Sequence, residues 1–250
     1  SVLQKIEGYN HNILAGKTMT LSFFVRSNRT GTFCVAFKQG SAKTYVVEYT
    51  INSANTWEQK TITITNDTLA NYNTNTSVTN GSSLQLTFTL RLGTTSQQTT
   101  AGAWNSGNFY GTSNQTTWGT STDDVFYLSG CQLELGSFGS TSIPSFPFES
   151  FENNLRKCKR YFQYSVMGWY GATNNGGNFG GACTFSVEHR ATPSYVSSYS
   201  SILDNNNRFT NSTISSANNL SQYGLMAQKG EISETDSGYY FAKMATDAEL

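Results

Sequence analysis

The chain has 250 residues, with 16 Lys and Arg against 16 Asp and Glu and so no formal net charge. Charged residues are 13% and aromatics 14%, while Ser, Thr and Asn together supply about a third of the chain, well above ordinary usage. Such a composition excludes coiled coils and helical bundles, its aromatics exclude a disordered polar tract, and its lack of a basic excess excludes dedicated nucleic-acid binding.

Alternation of apolar and polar residues, the mark of half-buried strands, dominates the first half. Met19, Leu21, Phe23 and Val25 predict one strand, and Phe33, Val35 and Phe37 a second. Tyr45, Val47, Tyr49 and Ile51 follow, then Ile62 and Ile64 among Thr61, Thr63 and Thr65. Trp57, just ahead of that Thr/Ile run, is expected in the core. The clearest alternation is Leu84, Leu86, Phe88, Leu90 and Leu92, and the last of this half is Val125, Tyr127, Cys131, Leu133 and Leu135. Polar turns such as Ser27-Asn28-Arg29-Thr30-Gly31 separate the runs. Many short antiparallel strands joined by polar turns predict a jelly-roll β-sandwich over residues 1–149.

From Ile143 to Phe148 the alternation stops, and Pro144 and Pro147 mark a junction. Phe148, Phe151, Leu155, Cys158 and Phe162 then recur at spacings of three and four. They predict a short helix over 148–156 with Pro147 in its first turn. From Cys158 the spacing returns to two, through Arg160, Phe162, Tyr164 and Val166, so a strand follows directly. Cys183 to Val187, Tyr195 to Tyr199 and Tyr240 to Met244 predict further strands. Residues 150–250 are thus expected to form a linker helix and a small C-terminal β-sandwich domain. The fold class is all-β.

No stretch of 18 apolar residues occurs, and no membrane insertion is expected. The chain has no signal peptide and opens at Ser1 in what reads as mid-segment, so a longer parent protein is expected. The four cysteines, Cys34, Cys131, Cys158 and Cys183, have no metal-ligand spacing and are expected to be reduced and buried. His11 and His189 sit in no recognisable catalytic frame, and His189 is expected on the surface. No nucleophile elbow, zincin motif or P-loop occurs. Asp123 and Asp124 are neighbours, which in an extended chain point to opposite faces and make a poor acid/base pair. They could supply oxygens to a structural Ca²⁺, as could Asp204-Asn205-Asn206-Asn207, but turn residues satisfying their own backbone are the favoured reading. The basic run Arg156-Lys157-Cys158-Lys159-Arg160 could touch anionic polysaccharide or phosphate, but the favoured reading is the solvated side of a helix or a partner for a neighbouring subunit's carboxylates. No catalysis, metal or cofactor is expected.

The aromatics are the better lead, because sugar rings present an apolar C–H face to flat side chains with amide neighbours. Trp104, Tyr110 and Trp118 lie in long Asn/Gly/Ser/Thr stretches and are the first candidates for carbohydrate binding. Trp118 is the sharpest, since Thr116, Thr117, Gly119 and Thr120 offer it no apolar shelter. Trp169 and Tyr170, ahead of the Gly-rich 174–181 loop, form a second candidate surface. On a neutral surface such binding would draw on stacking and hydrogen bonds and be nearly independent of salt.

Three stretches carry a resemblance. Ser129-Gly130-Cys131-Gln132-Leu133-Glu134-Leu135-Gly136-Ser137, then Phe146-Pro147-Phe148-Glu149, then Leu155-Arg156-Lys157-Cys158-Lys159-Arg160-Tyr161-Phe162, resemble bacteriophage tail-fibre and appendage (receptor-binding) proteins. There a G-V-Q-L-E-x-G strand closes a carbohydrate-binding-module-like jelly roll, and an E-L-x-x-C-x-R-Y-Y segment leads into a small terminal β domain. The opening around Gln4 to Phe23 and the ending Asp247-Ala248-Glu249-Leu250 look like the same family. Here Cys131 replaces the usual Val, Ser150 an Arg, and Asn154 a Glu. The resemblance implies a non-catalytic, extracellular part of the virion, a homotrimer that adheres to host surface polysaccharide or glycan and joins other virion tail proteins. A structural connector contacting only virion proteins, or the glycan-binding module of a secreted enzyme, are the alternatives.

Overall fold

The computed structural model describes residues 1–14, 16–39, 43–65, 81–173, 179–204, 216–218, 221, 223–229 and 236–248, with side chains up to 166 and at 182–194, 221, 223–224 and 245–248. The chain forms two compact units, Ser1–Pro147 and Phe148–Glu249.

In the first unit the described strands are β1 (Val2–Glu7), β2 (Thr18–Ser27), β3 (Gly31–Gln39), β4 (Lys43–Ile51), β5 (Glu58–Thr65), β6 (Ser82–Thr89), β7 (Trp104–Ser106) and β8 (Phe126–Leu135). They pair antiparallel into a five-stranded sheet, β1-β6-β3-β4-β7, and a three-stranded sheet, β5-β2-β8. The alternation read in the sequence sends Met19, Leu21, Phe23 and Val25 of β2 inward against Phe33, Val35 and Phe37 of β3 and Leu84, Leu86 and Phe88 of β6. Each such side chain contributes about 1.5–3 kcal/mol on burial. Phe23 anchors the centre with edge-on contacts to Tyr49 and Phe88, ring centroids 5.1 and 5.0 Å away. The result is the expected all-β sandwich of jelly-roll class.

Strand β3 is buried on both faces. Cys34 and Ala36 point away from the main core, join Val46 of β4, and are covered by Phe109 and Tyr110 from the long β7–β8 connection. A one-turn helix, α1 (Gly8–His11), brings His11 into the interior, where its Nδ1 lies 2.7 Å from Ser83 Oγ.

The second unit opens with helix α2 (Phe151–Lys159). The predicted start at 148 is corrected to 151. Ser150 is the N-cap, its hydroxyl accepting from the Asn153 N–H at 3.3 Å, and Pro147 lies outside the helix. The described strands are β9 (Phe162–Thr173), β10 (Phe179–Thr184), β11 (Ser194–Asp204), β12 (Ser216–Asn218), β13 (Gly224–Lys229) and β14 (Asp236–Asp247). They form two three-stranded antiparallel sheets, β10-β13-β12 and β11-β14-β9.

His189, expected on the surface, is buried at 1% exposure and packs edge-on against Phe185. Its Nδ1 faces the Arg160 carbonyl at 3.2 Å. A carbonyl can only accept, so in the neutral ring Nδ1 carries the proton, and Nε2 lies 2.9 Å from the Thr246 hydroxyl, which is also 3.3 Å from the Gln163 carbonyl. Burial holds this imidazole below the ordinary histidine pKa, against the opposing pull of the Arg160 carbonyl and Asp247. All four cysteines are free, but only Cys34 is fully buried; Cys131 and Cys158 are exposed, contrary to expectation.

Candidate functional site

The outer face of the three-stranded sheet is set by ladder register. Residues directly opposite each other in an antiparallel pair share a face. Phe24 stands opposite Gln59 of β5 and Ser129 of β8, Arg26 opposite Tyr127, and Ser22 opposite Thr61 and Gln132. Since Phe23 and Val25 point into the core, all of these point out. Trp57, one residue before β5, falls in phase with Gln59 and Thr61 on the same face.

The upper end of this face is aromatic and open. Trp57 is 46% exposed, Tyr127 48% and Phe24 42%. The Trp57 and Tyr127 rings lean towards each other, centroids 6.3 Å apart, and the Arg26 guanidinium carbon lies 5.6 Å from the centre of the Tyr127 ring. The expectation that Trp57 fills the core is therefore corrected. It precedes the strand by one residue, and odd positions of β5 face outward while Ile62 and Ile64 face in.

Gly130 makes the seat for Phe24. The β2–β8 register shifts between Ser22 and Phe24, where Gly130 adopts φ +57°, and a Cβ there would lie 3.1 Å from Phe24 Cδ2. Only a glycine meets the left-handed backbone and the close ring together. The bulge also shifts the inward set on β8, so Tyr127 points out while Phe126, Leu128 and Leu133 pack on the core.

The lower end of the face is polar and partly covered. Gln59 donates to Ser22 Oγ at 3.2 Å, and Gln132 donates to Glu134 Oε1 at 2.9 Å and to the Pro144 carbonyl at 3.1 Å. Thr20 donates to the Gly136 carbonyl and accepts from the Phe138 N–H. The segment after β8 thus crosses the sheet below Ser22 and leaves the aromatic end uncovered.

The three first-choice residues from the sequence lie elsewhere and are half-buried. Trp118 is packed against the main core, with its Nε1–H towards the Val125 carbonyl at 3.4 Å and its N–H on the Leu90 carbonyl at 3.2 Å. Its apolar shelter comes from strands distant in sequence, so the local Thr/Gly context was misleading. Trp104 also packs on the core, edge-on to Tyr45 at 5.4 Å, and donates to the Thr65 carbonyl at 2.8 Å. Tyr110 covers the Cys34 cluster. Trp169 and Tyr170 belong to β9, and their side chains lie outside the described residues, as does the run Asp204 to Asn207 beyond Asp204's backbone.

Asp124 behaves as a turn residue. Its carboxylate accepts from the N–H groups of Gly119, Thr120 and Ser121 at 2.9, 2.9 and 3.2 Å and from Arg29 Nε. Arg29, opposed by desolvation and helped by these backbone donors, holds the carboxyl down at about 2. Asn28 completes the clamp by accepting from the Val125 N–H and donating to the Asp123 carbonyl. The β2–β3 turn thereby fixes the loop that carries Trp118. In the basic run, Lys157 pairs with Glu149 of the same chain. Among the described residues no three His, Cys, Asp or Glu come together as a metal site, and no helix is long and apolar enough to cross a membrane.

No protein-family model matches the chain, and no curated protein matches it. Among solved structures it is similar to discoidin II from Dictyostelium discoideum, at 10% identity over 94% of this chain and 72% of that one, with a TM-score of 0.24. That likeness is too slight to bear on fold or ligand.

Proposed function

We propose that the protein is a non-catalytic glycan adhesin whose first unit grips sugar on the Phe24–Trp57–Tyr127 face. The observation that carries the reading is three large aromatic side chains left open side by side on one sheet face, beside amide and hydroxyl groups. Exposed aromatic clusters of this kind mark interaction surfaces, and flat rings with amide neighbours suit the C–H faces of sugars. The three motifs resembling tail-fibre and appendage proteins support placing this adhesin in a virion, where its ligand is host surface glycan and its other partners are virion tail proteins. The exposed apolar stripe on α2 supports self-association there, as a homotrimer.

The test is adsorption. Purified protein should bind susceptible cells and block virion attachment, and Trp57→Ala should lose most of that binding at an unchanged melting temperature, because Trp57 lies outside the core. Binding to virion components alone would favour the connector reading instead. Equal binding by Trp57→Ala and wild type would remove the aromatic face from the account.

A further inference from the structure

We infer that the aromatic face selects acidic glycan, with Arg26 taking the carboxylate or sulfate of the sugar; this rests on the glycan-binding reading above. Arg26 sits within the patch, opposite Tyr127 in the ladder and with its guanidinium against that ring. Its Nε is shut off from solvent and makes no hydrogen bond. No carboxylate among the described residues pairs with it, whereas Arg29 is paired with Asp124 and Lys60 with Glu58. Glu58, opposite the neighbouring Val25, is held by Asn52, Ser53 and Lys60, and Glu134 of the outer face stands opposite Thr20, six residues along β2 from Arg26. At about 3.4 Å per residue that is roughly 20 Å away. The positions between, Ser22, Phe24, Gln59, Ser129 and Gln132, are neutral.

A guanidinium held against a ring and paired with no carboxylate of the described residues is preorganised for a planar anion. Its fork matches two oxygens of a carboxylate or sulfate, and such charge-assisted pairs are about twice as strong as neutral ones. A neutral sugar would fill the rings and offer the guanidinium only hydroxyl oxygens, weaker acceptors than a carboxylate or sulfate. The acidic group therefore belongs over Arg26 while its own or a neighbouring ring stacks on Trp57 or Tyr127. Binding should then weaken as salt rises, unlike the salt-independence expected from a neutral surface.

The test uses the full chain and two polymer pairs that differ in charge: polygalacturonate against its methyl ester, and dextran sulfate against dextran. The acidic member of one pair should bind roughly tenfold or more tightly than its neutral counterpart, and which pair responds tells carboxylate from sulfate. Arg26→Gln should erase that difference in a chain that circular dichroism shows to be folded. Arg26→Lys should keep the salt dependence but lose part of the affinity. Trp57→Ala should weaken binding to both members. Neutral members bound as tightly as acidic ones, or a preference that survives Arg26→Gln, would sink the inference and leave the glycan reading standing. Trp57→Ala binding all polymers as wild type does would overturn the glycan reading itself, and no polymer bound at all would overturn both.

Discussion

At the scale of single residues, Asp124 and Trp118 form one device. The carboxylate gathers three successive N–H groups and Arg29, and the loop so fixed presses Trp118 onto the core. Because the folded pKa lies below the unfolded value of about 3.9, this stabilisation is fully present above pH 4 and is lost as pH falls towards 2. Asp124→Asn should melt earlier than wild type at pH 7, and the gap should close between pH 4 and 2 in thermal scans. Trp118→Ala should cost about 2 kcal/mol, less than a fully buried Trp, and lower the melting temperature by roughly 5 °C. Trp57→Ala, by contrast, should leave it within about 2 °C. Circular dichroism melts of the two variants side by side distinguish anchor from platform; equal losses would contradict the assignment.

At the scale of elements, the β8 bulge links a sequence motif to the candidate site. Gly130 lies in the Ser129–Ser137 stretch singled out in the sequence, and its φ of +57° and lack of Cβ let the Phe24 ring lie against it. Gly130→Ala should cost about 1–2 kcal/mol from left-handed strain and ring displacement, and it should weaken glycan binding more than an equally destabilising core variant such as Ile64→Val. Binding measured at a temperature where both are folded checks this. In α2, Ser150 shows how one residue sets a boundary: its hydroxyl caps the helix and the first turn starts there, three residues past Pro147.

At the scale of the whole molecule, the second unit exposes apolar surface that water does not favour. Phe151, 79% exposed, and Leu155, 40%, share one face of α2, Phe148 just ahead of the helix is 95% exposed, and Tyr164 and Val166 of β9 are also exposed. Burying such a stripe against other copies of the chain favours association. Light scattering should give a trimer at micromolar concentration, and Phe151→Glu should dissociate it. A stable wild-type monomer would refute this. Trimerisation would place three weak sugar sites on one particle and raise avidity without new contacts.

The sequence by itself determined the strands, because a period of two is a local property. The runs at Met19, Phe33, Tyr45, Ile62 and Leu84 each became a strand with the predicted face inward. It also determined the all-β class. It did not determine which aromatics lie open on the surface. Trp118 has polar neighbours along the chain yet packs on strands remote from it, while Trp57 adjoins a strong β run yet points outward. Exposure depends on register and on which loop folds over which face. Strand β7, three residues in a polar stretch, and the Gly130 bulge, which turns Tyr127 outward, had no periodic signal of their own. The Arg26–Tyr127–Trp57 grouping joins three strands through hydrogen-bond registers fixed by long-range packing, and so only the tertiary structure could decide it.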